Sequence, residues 1–188
     1  ATPCCSKGMF MFVIVDNGKG AEEIARFIRG QKSIVKPADA AKAKASAYIL
    51  SDGDMKHQKD NLKIIEKSTR PILGIGAGCA FIAAAYGAKP KVGKAEKTDH
   101  VKIEHPSPLT LDLKKVFMVM QGSAYTIDEL PENFSVVASS PKCPHQVIME
   151  TEKPFFGVHF NPEMGGDGLK IIDNFVKFVE LWGKYNRG

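Results

Sequence analysis

The chain has 188 residues, 44% hydrophobic and 25% charged; this suits one compact domain and excludes disorder as its main state. No run approaches the ~20 apolar residues of a membrane span, and the longest candidate, Pro71 to Gly87, is broken by four glycines. The net charge of +5 comes from lysines spread along the chain, with few arginines and no nucleic-acid recognition motif, so a solvated basic surface is expected rather than a nucleic-acid or membrane partner.

Residues 1–8 read as a native extension or a cloning remnant ahead of a domain over 9–188, with Met9 or Met11 as a natural start and no secretory signal pattern. Phe10 to Val15 is a continuous apolar run ending in Asp16-Asn17-Gly18, the pattern of a buried strand and a turn. Ala21 to Ile28 is an amphipathic helix with Gly30 near its end, and Ser33 to Val35 is a short strand stopped by Pro37. Ala38 to Ala45 is a weak helix, and Ala47 to Leu50 is a third strand that runs into Ser51-Asp52-Gly53-Asp54. Asp54 can cap a helix over Met55 to Lys67. Pro71 to Ile75 is a fourth strand, followed by Gly76-Ala77-Gly78 and a helix from Cys79 to Tyr86. This alternation predicts an α/β fold with a parallel sheet covered on both faces.

The second half changes character. Val101–Ile103, Val116–Met120, Ser135–Ala138, Gln146–Met149 and Phe155–Phe160 are short strands between polar or Pro-containing turns, which predicts hairpins and a return to the main sheet. Leu169 to Leu181 closes the chain as an amphipathic helix.

The segment Gly74-Ile-Gly76-Ala-Gly78 carries the most information. A strand, a turn of small residues and a helix can bind an anion through free N–H groups, or can form a nucleophile elbow. As a dinucleotide fingerprint its spacing is wrong. As an elbow its tip is Gly76, which has no reactive side chain. A tight junction that needs glycines for packing alone is the plain alternative.

Several segments in order carry a family resemblance: Val13-Ile-Val-Asp-Asn-Gly18, Ile49-Leu-Ser51, Pro71-Ile-Leu-Gly-Ile75, Leu130-Pro131, Ser139-Ser-Pro-Lys-Cys-Pro144 and Lys153-Pro-Phe-Phe-Gly-Val-His-Phe-Asn-Pro-Glu163. With these the chain resembles the class I glutamine amidotransferases, most of all those that serve GMP synthase. The resemblance implies a three-layer α/β/α sandwich of the flavodoxin-like kind, with a mostly parallel central sheet and a small antiparallel extension. It implies a Cys-His-Glu triad that releases ammonia from glutamine, and a partner, an ATP-dependent GMP synthetase subunit that aminates XMP. It implies no cofactor or metal, and a cytoplasmic setting, which also fits the lack of a disulfide framework among Cys4, Cys5, Cys79 and Cys143.

Carried over residue by residue, the triad positions are Gly76, Asn161 and Glu163, and only Glu163 is retained. The oxyanion-loop positions are Asp52, Gly53 and Ala77, where added carboxylates at Asp52 and Asp54 would repel a developing oxyanion; a solvated loop is the expected setting of both aspartates. The family's Ser-His-Gly-Asp stretch falls on Gly122-Ser-Ala-Tyr125 without a match. Loss of glutaminase activity is expected, because asparagine cannot act as a base and glycine offers no atom to acylate. Two alternatives stand beside this reading: a working enzyme with a relocated Cys79/His159 pair, and a small anion-binding module that uses the Gly74–Gly78 turn. In the leading reading the chain docks a synthetase-type subunit or binds glutamine or another small metabolite in the remnant pocket.

Overall fold

The structure, a computed structural model, describes residues 10–94 and 97–186. The extension at residues 1–8 lies outside the described residues. In chain order the elements are β1 (Met11–Val15), β2 (Gly18–Lys19), α1 (Ala21–Phe27), β3 (Gln31–Val35), α2 (Pro37–Ala40), β4 (Ala47–Leu50), β5 (Asp52–Gly53), α3 (Gln58–Lys67), β6 (Ile72–Ile75) and α4 (Ala77–Ala84). They continue as β7 (Pro90–Val92), β8 (Thr98–Ile103), β9 (Val116–Met120), β10 (Tyr125–Ile127), β11 (Phe134–Ser139), β12 (Val147–Glu150), β13 (Phe155–Val158) and α5 (Leu169–Tyr185).

Nine strands form one mixed sheet in the order β3-β1-β4-β6-β13-β12-β11-β8-β9. The pairings from β3 through β13 are parallel, and those from β13 out to β9 are antiparallel. The antiparallel extension therefore contributes four strands, and β13 is the returning strand that joins it to β6. Strand β1 shows why its sequence is an unbroken apolar run: Phe12 and Ile14 enter the core under α1 and α5, whereas Val13 and Val15 enter the core under α3 and α4. A strand buried on both faces has no polar side to alternate with. The closing helix α5 buries Ile171, Ile172, Phe175 and Val179, and Phe156 of β13 meets Phe175 and Phe178 edge-on at 6.3 and 5.0 Å between ring centroids.

Three local expectations change. The helix expected over 38–45 is only α2, because Pro37 and Ala40 are its sole buried residues and so few cannot support a longer helix. Helix α4 starts at Ala77 instead of Cys79, since Gly76 alone makes the turn. Two small ladders, β2 with β5 and β7 with β10, have strands of only two or three residues, too short for periodicity to announce them. The β2–β5 ladder matters most: it pairs Lys19 with Asp52, and it is pinned by buried Asn17, which donates to the Ser51 carbonyl at 2.9 Å and accepts from Asn61 at 2.7 Å.

Candidate functional site

The triad positions converge at the C-terminal ends of β6 and β13, the edge where open α/β sheets hold ligands. Gly76 caps α4 with φ 55° and ψ −112°, a conformation costly for any residue with a side chain. The backbone thus keeps the strained bend of an elbow although no nucleophile stands on it. Gly74 and Gly78 answer to packing, since a Cβ at either would drive into backbone, that of Gly78 and of Leu50 respectively.

Asp52 is not in a solvated loop; it is 2% exposed, whereas Asp54 is exposed and caps Lys56. The Asp52 carboxylate turns into the site. Its Oδ1 accepts from the Ala77 N–H at 2.8 Å, and its Oδ2 accepts from Asn161 Nδ2 at 3.2 Å and lies 3.6 Å from Lys19 Nζ. The oxyanion-hole donor implied by the resemblance is therefore taken by an internal anion. A Cβ built on Gly76 would collide with Asp52 Oδ1, so the glycine and the aspartate require each other. Gly53 sits behind Asp52 in the β5 ladder, opposite Gly18.

Asn161 is fully buried and holds the centre together. Its Oδ1 accepts from the Gly122 N–H at 2.7 Å, and its Nδ2 donates to Glu163 Oε1 at 3.1 Å as well as to Asp52. Lys19 Nζ donates to the Gly122 carbonyl at 2.7 Å. Glu163 is 7% exposed, and its Oε2 has no partner among the described residues. Burial pushes its carboxyl up to about 7; its own N–H and the Asn161 amide pull it down, Asp52 raises it further, and Lys19 lowers it. Lys19 was invisible in the sequence as a site residue, because only the β2–β5 ladder brings it here, whereas Gly122, noted in the sequence as an unmatched position of a family stretch, arrives on the turn after β9.

The structure does not join Cys79 and His159 by a hydrogen bond. Cys79 is buried in the apolar core with Phe81, Ile148 and Phe155, and burial pushes its thiol well above the usual range, which disfavours a thiolate. Its Sγ fills the space over Gly157, where an added Cβ would come within 2.5 Å. Gly157→Ala is expected to destabilise the protein by about 1–3 kcal/mol, and Cys79→Ala in that background to recover part of the loss, as measured by chemical denaturation.

His159 belongs to a separate buried polar chain. Gln146 Nε2 donates to Asp99 at 2.9 Å and, at 3.5 Å, to Gln121 Oε1; Gln121 Nε2 then lies 3.0 Å from His159 Nδ1. The other ring nitrogen, Nε2, has no hydrogen-bond partner among the described residues. Burial lowers the His159 pKa, with the Tyr125 carbonyl and the charges of Asp52 and Asp99 opposing. Among the described residues no group of three His, Cys, Asp or Glu could hold a metal, and no helix is long and apolar enough to cross a membrane.

Comparison with known proteins agrees with this fold. The model of the family "Glutamine amidotransferase class-I" matches residues 13–178. A glutamine-hydrolyzing GMP synthase subunit of Pyrococcus abyssi is 32% identical over 185 residues, which span 89% of this chain and 97% of that protein. Its counterpart in Methanocaldococcus jannaschii is 30% identical over 183 residues, spanning 89% and 96%. A solved structure from Thermoplasma acidophilum, described as a "putative gmp synthase subunit a protein", superposes with a TM-score of 0.88 at 25% identity, covering 96% of this chain and 98% of that one. The family match over residues 13–178 and the relatives that align with nine-tenths of the chain make one statement: the chain belongs to the class-I glutamine amidotransferase family.

Proposed function

We propose that this chain is a catalytically silent counterpart of the amidotransferase subunit of GMP synthase, one that has kept the scaffold and lost glutamine hydrolysis. The observation that carries this reading is the Asp52 carboxylate seated on the Ala77 N–H beside Gly76. An acyl-transfer site needs a nucleophile, a base and a free oxyanion donor. Here the first position is glycine, the second is an asparagine engaged as donor and acceptor, and the third is occupied. In this reading the chain acts in the cytoplasm without a cofactor, and its role is to dock an ATP-dependent synthetase subunit of the kind that makes GMP from XMP. The raised pKa and apolar packing of Cys79 weigh against a relocated nucleophile.

The test is ammonia release from glutamine, with and without a synthetase subunit, together with exposure to a glutamine-analogue electrophile. Background ammonia and no adduct are expected. Turnover near that of a working amidotransferase, or selective labelling of Cys79, would refute the silent reading.

A further inference from the structure

The donors that hold Asp52 are each fixed from behind by contacts that do not involve Asp52. The Ala77 N–H opens α4, whose dipole favours an anion at that end. The Asn161 amide is oriented by the Gly122 N–H on its oxygen, and the Lys19 ammonium is held by the Gly122 carbonyl. All three converge on one carboxylate that is 2% exposed. A second, independent feature borders the same place: Glu163, only 7% exposed, shares the Asn161 Nδ2 with Asp52 and has an oxygen without a partner among the described residues. Such an oxygen can carry a proton toward a ligand oxygen.

We propose that Ala77, Asn161 and Lys19 form a preorganised carboxylate-binding site whose resident ligand is the chain's own Asp52 side chain. The site would take a small monocarboxylate once Asp52 is shortened, and in the natural chain it is closed to external carboxylates. This deepens the proposed function, since it names what fills the former reaction site, but its geometry does not require the chain to be inactive. Removing the Asp52 side chain clears roughly the space of one formate or acetate while leaving the three donors in place. Preorganised donors bind without the cost of ordering them. A carboxylate there also shares the Asn161 Nδ2 with Glu163, so formate binding is expected to strengthen at low pH, where Glu163 is protonated and no longer repels it.

The experiment uses the full chain labelled with ¹⁵N, and follows the Ala77 amide resonance and the thermal midpoint during titration with sodium formate at constant ionic strength. In Asp52→Gly and Asp52→Ala, formate is expected to shift the Ala77 amide saturably and to raise the midpoint, whereas chloride and methylammonium do neither. Asn161→Ala added to Asp52→Gly should weaken formate binding about tenfold, the size expected for one charge-assisted hydrogen bond. The natural chain and Asp52→Asn should not respond. A folded Asp52→Gly or Asp52→Ala whose Ala77 amide ignores formate would overturn the proposal. So would a natural chain whose Ala77 amide responds to formate, a result that does not depend on any variant folding. Neither outcome bears on the ammonia assay, so this proposal and the silent reading can fail separately.

Discussion

Placing the family's cysteine and histidine by Gly76→Cys and Asn161→His is expected to leave ammonia release from glutamine near background, and adding Asp52→Gly is expected to raise it by about 10²–10³-fold. The factor is that of one oxyanion-hole donor, here the Ala77 N–H that Asp52 occupies at 2.8 Å. The order of events follows from the collision between a Cβ at position 76 and Asp52 Oδ1. With Asp52 present, a cysteine at 76 either displaces the carboxylate from its buried donors or bends the elbow out of line. Gly76→Cys alone should therefore also lower stability, both from that collision and from placing a side chain at φ 55°. Steady-state ammonia assays on the double and triple variants, with thermal melts of each, check both parts. Activity in the double variant equal to that in the triple would show that Asp52 is no obstacle.

The second large effect concerns Glu163 and pH. Its carboxyl is raised to about 7 in the folded chain, chiefly by burial, against 4.5 when free. A raised acid binds more protons folded than unfolded between those two values, so its contribution to stability falls as pH rises through that window. Fully expressed above pH 7, the difference of 2.5 pKa values from that pair amounts to about 3 kcal/mol. Glu163→Gln is expected to remove this slope and to be the more stable protein at pH 8, with the two converging below about pH 4.5. His159 acts in the opposite sense: its lowered pKa means that stability is lost as pH falls below its ordinary 6.5. The charged groups facing Glu163 are Asp52 and Lys19, so subtracting the profile of the variant from that of the natural chain isolates the glutamate. Denaturant midpoints from pH 4 to 8 provide the check, and parallel profiles for the two proteins would contradict the assignment.

Both expectations rest on residues whose importance was unequally visible. Gly76, Asn161 and Glu163 stood out in the sequence because ordered segments around them match a family pattern, and a motif survives in one dimension. The same is true of the strands: β1, β4 and β6 are apolar runs because both faces of a parallel sheet are covered, and β13 was readable as a returning strand for the same reason. Asp52 is the opposite case. A polar turn containing two aspartates looks solvated, and Asp54 is. What turns Asp52 inward is the ladder with Lys19, the Asn17–Asn61 pair behind it, and the open N–H of Ala77. Ala77 lies 25 positions further along the chain, and Asn17 and Asn61 are themselves 44 positions apart.

The amino-acid sequence by itself determined the layered α/β architecture and the family, and it placed Gly76 and Asn161 where the family resemblance expects a nucleophile and a base, because each is written in local composition or in a contiguous motif. Only the tertiary structure decided what stands in their place. Whether a carboxylate faces water or caps a helix depends on which donors the folded chain leaves unpaired within about 3 Å, and no reading of neighbouring residues contains that distance.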